Sequence, residues 1–245
     1  CSDEMLVKQR ATITIPRKTS KVATKADVAK YHVHIPEVAP LHVDVVRGMM
    51  SDKARERFDA TWRRTTEFCP KQLEIANPMR CPASDAALAV KHGVAVPLPR
   101  ETVVNSHIFS VLEEKASGTR RRFITWAKRF NESIAHSYKP AVDLPHHSAF
   151  FKHALRDSGA TLDLKASFFQ VPLPRHDLFT FADEEGNVYG MTRLPMGIST
   201  APELMHTITA TLAGDLAFAK PGNGAKSFTS SWVDNVLYTG APNRV

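Results

Sequence analysis

The chain has 245 residues, 43% of them apolar and 23% charged, a globular balance that excludes fibrous and generally disordered classes. Thirty-two Lys and Arg oppose 25 Asp and Glu, and the net charge of +7 suits an anionic partner such as nucleic acid. No apolar run approaches the ~18 residues of a spanning helix, and no signal peptide opens the chain. The three cysteines (Cys1, Cys69, Cys81) fit neither a disulfide framework nor the paired spacing of a zinc site. The expectation is an intracellular protein, cytoplasmic or nuclear, with no membrane partner. The chain opens at Cys1 and closes on GAPNRV, and it reads as a piece of a longer polypeptide.

Residues 1–50 are weakly patterned, with Lys8, Arg10, Arg17, Lys18, Lys21, Lys25 and Lys30 spread among Thr, Ser and Ala. They read as a basic solvated extension rather than a nucleic-acid arm. His32, His34 and His42 lack Cys or carboxylate partners at metal-ligand spacing. From residue 51 to 245 the pattern firms into a second unit. Ser51 and Asp52 can cap a helix that repeats Ala54, Phe58 and Trp62 on one face and ends before Pro70. A second helix fits Ser84 to Lys91, with Ser84 as cap and Gly93 just past its end.

Residues 106–125 read as a β-hairpin, HIFSVL and TRRRFIT joined by the turn EEKASG. Lys115, Arg120, Arg121 and Arg122 then form a basic cluster at and just after its tip. Such a cluster serves as a solvated surface or holds phosphates from a rigid support. A helix is expected over residues 147–156, and then the period turns strand-like through TLDL (161–164), FQVPL (169–173), LFTF (178–181) and VYGMTRL (188–194). DEEGN (183–187) is a hairpin turn. A helix runs from Pro202 through Leu204, Ile208 and Leu212 to Gly214, and a last hairpin, SFTSSWV and VLYTG, turns at Asp234-Asn235. The class is α+β with an antiparallel sheet and flanking helices.

Two carboxylates stand out. Asp163 sits between Leu162 and Leu164 in an apolar strand, and Asp234 follows Trp232-Val233 at a hairpin tip. A carboxylate ending a buried strand needs a cation, a hydrogen-bonding network or a metal. Taken singly, each reads as an everyday turn or strand-end residue rather than a catalytic one.

Order and surroundings add to this. TLDLKASFFQVPL (161–173) resembles the first catalytic motif of reverse transcriptases. LPMGISTAP (194–202) resembles their LPxG motif, and SWVDNVLYTG (231–240) their YxDD hairpin. HIFSVLEEKASGTRRRFITWAKRFN (107–131) resembles their fingers hairpin, with Phe130-Asn131 in place of a Leu-Asn pair, and the LPHH stretch within 139–147 resembles the lead into the first motif. The resemblance covers residues 106–240 and lies closer to retrotransposon (LTR or tyrosine-recombinase) and pararetrovirus enzymes than to group II intron ones.

The resemblance implies a right-hand polymerase fold, fingers and palm, that adds deoxynucleoside triphosphates to a primer on an RNA or DNA template by two-metal phosphoryl transfer. Asp163 and Asp234, with the backbone carbonyl of Leu164, match the ligands of two Mg²⁺ ions. Asn235 stands in the catalytic motif beside them. Phe168 matches the aromatic that rejects a 2′ hydroxyl, and Lys115 and Arg122 match the residues that hold the triphosphate. Met196 and Gly197 belong to the loop by the templating base pair.

Three departures from the family pattern matter. Asn235 replaces the second Asp of YxDD and removes a negative charge, so weaker use of Mg²⁺, better activity with Mn²⁺, or no activity is expected. Met196 stands where Gln or Phe is usual, and Glu113-Glu114 precede Lys115 where basic residues are common. Ten residues follow Asn235, so no primer grip, thumb or RNase H segment is expected here, and hold on a template should be strongly salt-dependent. The alternative from another class is a degenerate or domesticated remnant that binds nucleic acid or protein without chemistry. An RNA-templated RNA polymerase would share the palm but would not want a bulky Phe168.

Overall fold

Residues 21–115, 118–140, 158–220 and 228–240 are described in a computed structural model of the chain. The segment 21–50, expected as a solvated extension, is instead partly built into the core. Helix α1 (Lys25–Lys30) opens on a reciprocal cap: the Thr24 hydroxyl accepts from the Asp27 N–H at 3.3 Å, and the Asp27 carboxylate accepts from the Thr24 N–H at 2.8 Å. Strand β1 (Val33–His34) follows, then helix α2 (Val43–Met49). Val33, Ile35, Val46 and Met50 are buried, and these few apolar residues among many cations are what anchor the segment.

Helix α3 (Asp52–Thr66) forms where the four-residue repeat predicts it. The Ser51 hydroxyl accepts from the Ala54 N–H at 3.3 Å, Ala54 and Phe58 are buried, and Phe58 stacks on Trp62 with ring centroids 5.7 Å apart. A 3₁₀ turn (Pro70–Leu73) follows. Helix α4 (Ala83–Lys91) starts one residue earlier than expected, and Ser84 does not cap it. Pro82 takes the cap position, and the Ala83 N–H finds its acceptor in the distant Glu184 carboxylate at 3.3 Å. Gly93 closes the helix at φ +67°, a conformation glycine adopts without strain.

Strand β2 (Ala95–Leu98) leads to the long hairpin of β3 (His107–Lys115) and β4 (Gly118–Trp126), paired from His107↔Trp126 to Lys115↔Gly118. The strands therefore run through Glu113 and Glu114, which were expected in the turn. Helix α5 (Lys128–Ile134) comes next, and the helix expected over residues 147–156 lies outside the described residues. Strand β5 (Ser158–Asp163), expected as a buried strand around Asp163, is instead exposed from Gly159 to Asp163, Leu162 included.

The strand expected over 169–173 does not form. Ala166 takes a left-handed conformation (φ +50°) and starts the short helix α6 (Ser167–Gln170); Pro172 then makes only an isolated bridge to Arg193. Strands β6 (Thr180–Ala182) and β7 (Val188–Met191) flank the DEEGN turn. There the Asp183 carboxylate accepts from the Glu185 and Asn187 N–H groups, the Asn187 amide and the Tyr189 hydroxyl at 2.9–3.0 Å.

Helix α7 (Ala201–Leu212) carries Pro202 in its first turn and is buried on nearly every side, with Leu204, Met205 and Ile208 in the core. Strands β8 (Phe228–Trp232) and β9 (Asn235–Gly240) enclose a turn at Val233-Asp234, one residue before the expected Asp234-Asn235. The class is α+β, with three three-stranded sheets among the described residues, ordered β1-β4-β3, β2-β7-β6 and β5-β9-β8. The β1–β4 pair is parallel and the rest are antiparallel. No described helix is long and apolar enough to cross a membrane.

One of the three hairpin arginines leaves the expected surface cluster. Arg121 is 3% exposed and pairs bidentately with Asp85 of α4 at 2.5 and 2.8 Å. It also donates to the Ser110 hydroxyl at 3.0 Å and to the Tyr31 carbonyl at 2.7 Å. Removing one member of a buried pair leaves the other charged and dry. Asp85→Ala should therefore cost about 3–5 kcal/mol of stability in urea unfolding, with part of the loss recovered in Asp85→Leu/Arg121→Met. A cost under about 1 kcal/mol for Asp85→Ala would show that solvent reaches Arg121.

Candidate functional site

The β3–β4 hairpin sorts its side chains by period two. Arg121 points to the interior, so Glu113, Lys115, Arg120 and Arg122 share the opposite face and line a cavity of about 700 Å³. The facing wall comes from the sheet β5-β9-β8, where Asp163 pairs in register with Asn235, and Asn235 with Trp232. Asp163, Asp234 and Asn235 all line this cavity, as do Leu164, Phe168 and Met196. Eight of the nine site residues expected from sequence thus meet at one place.

The ninth does not. Gly197 is not among the described lining residues; it sets the path of the loop instead. Its carbonyl accepts from the Asn131 amide at 2.9 Å, and the Asn131 oxygen accepts from the Ser199 N–H at 2.8 Å. A Cβ on Gly197 would lie 2.0 Å from the Thr125 carbonyl oxygen, so only glycine lets the loop pack this close to β4. The result is visible one residue earlier, where the Met196 sulfur accepts from the Arg122 guanidinium at 3.4 Å.

Asp234 is aimed by its surroundings. The Ser167 hydroxyl donates to one carboxylate oxygen at 3.1 Å and the Asn235 amide to the other at 3.2 Å. The Leu164 N–H donates to the Asp234 carbonyl at 3.0 Å, which ties the first motif to the hairpin turn. Val233, immediately before it, holds φ +55°, an uncommon conformation for a β-branched residue and a cost of ~1–3 kcal/mol that the surrounding fold sustains. Asp163 has no cation within ion-pair distance among the described residues.

The cavity holds both signs of charge. Asp163 and Asp234, with Lys165 nearby in sequence, come from one wall, and Lys115, Arg120 and Arg122, with Glu113 among them, from the other. Two carboxylates with the Leu164 backbone and the Asn235 side chain form a hard-oxygen donor set of the kind Mg²⁺ or Mn²⁺ takes; strand register brings Asp163 beside Asn235, and the turn and its hydrogen bonds add Asp234. No group of three His, Cys, Asp or Glu side chains at metal spacing occurs among the described residues, so the pair is one carboxylate short of such a cluster.

Further lining residues include Ser167, to which the sequence assigns no role, and His34, which its lack of partners at metal-ligand spacing sets aside. Burial and the neighbouring Arg120 charge hold the His34 imidazole below its ordinary pKa. Glu113 proves more consequential than its departure from the family pattern suggested. Its carboxylate lies 3.2 Å from the Lys115 ammonium and 2.8 Å from the Arg120 guanidinium, so an internal anion already sits among the cations of the hairpin face. Partial burial pushes the Glu113 carboxyl up, but hydrogen bonds from Arg120 and Lys115 outweigh it and leave the group below the ordinary Glu value.

No protein-family model matches the chain, and no curated protein matches it.

A polyphosphate entering the cavity must compete with Glu113 for Lys115 and Arg120. Glu113→Gln should tighten the Kd for a nucleoside triphosphate, read by fluorescence titration without added metal, by roughly three- to tenfold. An unchanged or weaker Kd would mean that the triphosphate does not use these two cations.

Proposed function

We propose that this chain is the fingers and palm of a retroelement reverse transcriptase, an RNA-directed DNA polymerase that extends a primer on an RNA or DNA template. One observation carries the reading: residues from four separate stretches, 113–122, 163–168, 196 and 234–235, line a single cavity that brings Asp163 and Asp234 together with the hairpin cations Lys115, Arg120 and Arg122. An arrangement of this kind suits a triphosphate held between bound divalent cations and protein cations.

In this reading Asp163 and Asp234 hold the cations, with the Leu164 carbonyl as a further oxygen. When bound, the ions supply Lewis-acid charge to the primer hydroxyl and to the departing pyrophosphate. Ser167 orients Asp234 through its hydroxyl. Arg122 and Lys115 receive the triphosphate, the guanidinium by its planar fork and the ammonium as a point charge. Phe168, half-buried at the cavity wall, limits the space beside the sugar and disfavours a 2′ hydroxyl by contact. Met196 borders Arg122, and the Gly197 turn holds it there.

Asn235 supports a second reading. It offers an amide where the family has a carboxylate, and its N–H₂ donates to Asp234, so the site carries less negative charge to hold a pair of dications. A degenerate or domesticated domain that binds nucleic acid without chemistry would tolerate that loss.

Primer extension on oligo-dT/poly-rA, in Mg²⁺ and separately in Mn²⁺, tests both. Extension is expected to be stronger in Mn²⁺, to fall roughly 10²-fold or more in Asp163→Asn, and to shift toward Mg²⁺ in Asn235→Asp. Extension unaffected by Asp163→Asn would overturn the assignment of the site. No extension by any variant, with template still bound at low salt, would favour the non-catalytic reading.

A further inference from the structure

A second cationic feature lies outside the catalytic cavity. Helix α3 presents Lys53, Arg57 and Arg64 at positions i, i+4 and i+11, which at 100° per residue fall on one narrow stripe. That stripe forms one wall of an open groove of about 390 Å³, and Tyr138 and Lys139 form the other. Ala60 lies in the same stripe and keeps the floor low. The Arg64 guanidinium donates to the Ser137 hydroxyl at 2.7 Å and sits 5.9 Å over the Tyr138 ring. The Tyr138 hydroxyl in turn donates to Glu203 of α7, so the second wall is pinned to the core.

The groove is uncompensated by construction. Four cations line it against one carboxylate, Glu56. Among the described residues no carboxylate lies within 4.0 Å of Lys53, Arg57, Arg64 or Lys139. The acids nearby are committed to other cations: Asp52 pairs with Arg55 at 2.7 Å, and Asp59 with Arg47 at 2.8 Å. Helix α3 thus neutralises the arginines beside the groove and leaves the groove itself positive.

We propose that this groove binds the phosphate backbone of single-stranded RNA or DNA, a contact separate from the catalytic cavity. The row from Lys53 to Arg64 is ~16 Å long at 1.5 Å per residue, which spans several consecutive backbone phosphates and is far more than one small anion needs. Lys and Arg on a rigid support neutralise such a backbone without reading its sequence. A folded acidic protein is the poorer fit, because no large apolar side chain of the groove is exposed and an interface without such an anchor is weak. The binding does not depend on the catalytic reading, since its readout is affinity and not extension.

Fluorescence anisotropy of a labelled single-stranded 20-mer against the full chain tests it. Lys53→Gln/Arg57→Gln should weaken binding about tenfold at 0.1 M salt and lower the slope of log K against log salt by about 1.4, two phosphate contacts for a single strand. Arg175→Gln, at an exposed cation outside both the cavity and the groove, should leave that slope unchanged. An unchanged Kd and slope in the double variant would overturn the proposal. So would displacement of the oligonucleotide by polyglutamate as efficient as by unlabelled strand, which would assign the groove to an acidic protein, or full displacement by millimolar inorganic phosphate, which would reduce it to a small-anion site. Lys139→Gln, on the opposite wall and outside α3, provides an independent loss of about one contact should the helix variant fail to fold.

Discussion

The buried pair of Arg121 and Asp85 decides which way the β3–β4 hairpin faces. Three arginines stand in a row in β4, and strand alternation sends neighbours to opposite sides. With Arg121 fixed inside by Asp85, Ser110 and the Tyr31 carbonyl, Arg120 and Arg122 have only the cavity side left to them. A one-residue slip would bury two guanidinium groups without partners and expose the third, so the ion pair serves as a register lock as much as a stabilising contact. The same contact draws α4 and the segment before β1 onto the hairpin, and adds to the buried apolar residues that anchor residues 21–50.

The opposite wall is placed by a different device. Register in β5-β9-β8 sets Asp163 beside Asn235, and the strained turn at Val233 with the Ser167 hydroxyl aims Asp234 into the same space. Neither wall refers to the other, so the distance between carboxylates and cations is set by how the hairpin and the sheet dock through the core. The Met196–Arg122 contact, held by the tight approach of Gly197 to Thr125, is one of the few direct ties across the site.

How much of this was legible in the sequence depended on how local each cause is. Helix α3 and the DEEGN turn were readable because a four-residue repeat and an Asp–Gly turn carry their own signal. The run FFQVPL misled, because an apolar stretch is equally a strand or a buried turn of helix, and the left-handed Ala166 that decides it is marked by no glycine. Strand β2 escaped notice behind Pro97, which here sits exposed in the strand. Single residues of the site were ambiguous in isolation, and only their order and surroundings suggested a shared cavity. That Arg121 would be structural and Arg122 free could not be told from RRR, since both depend on a carboxylate 36 residues away in sequence. Glu113 was visible as an oddity, but its two ion pairs arise from cross-strand register.

The central claim is that Asp163 and Asp234 form one divalent-cation site. Its most direct test is Mn²⁺ binding to the full chain, followed by electron paramagnetic resonance of the free ion, in the native chain and in Asp163→Asn and Asp234→Asn. The account predicts that each substitution weakens Mn²⁺ binding by about tenfold or more. Equal Mn²⁺ affinity in all three proteins would contradict it.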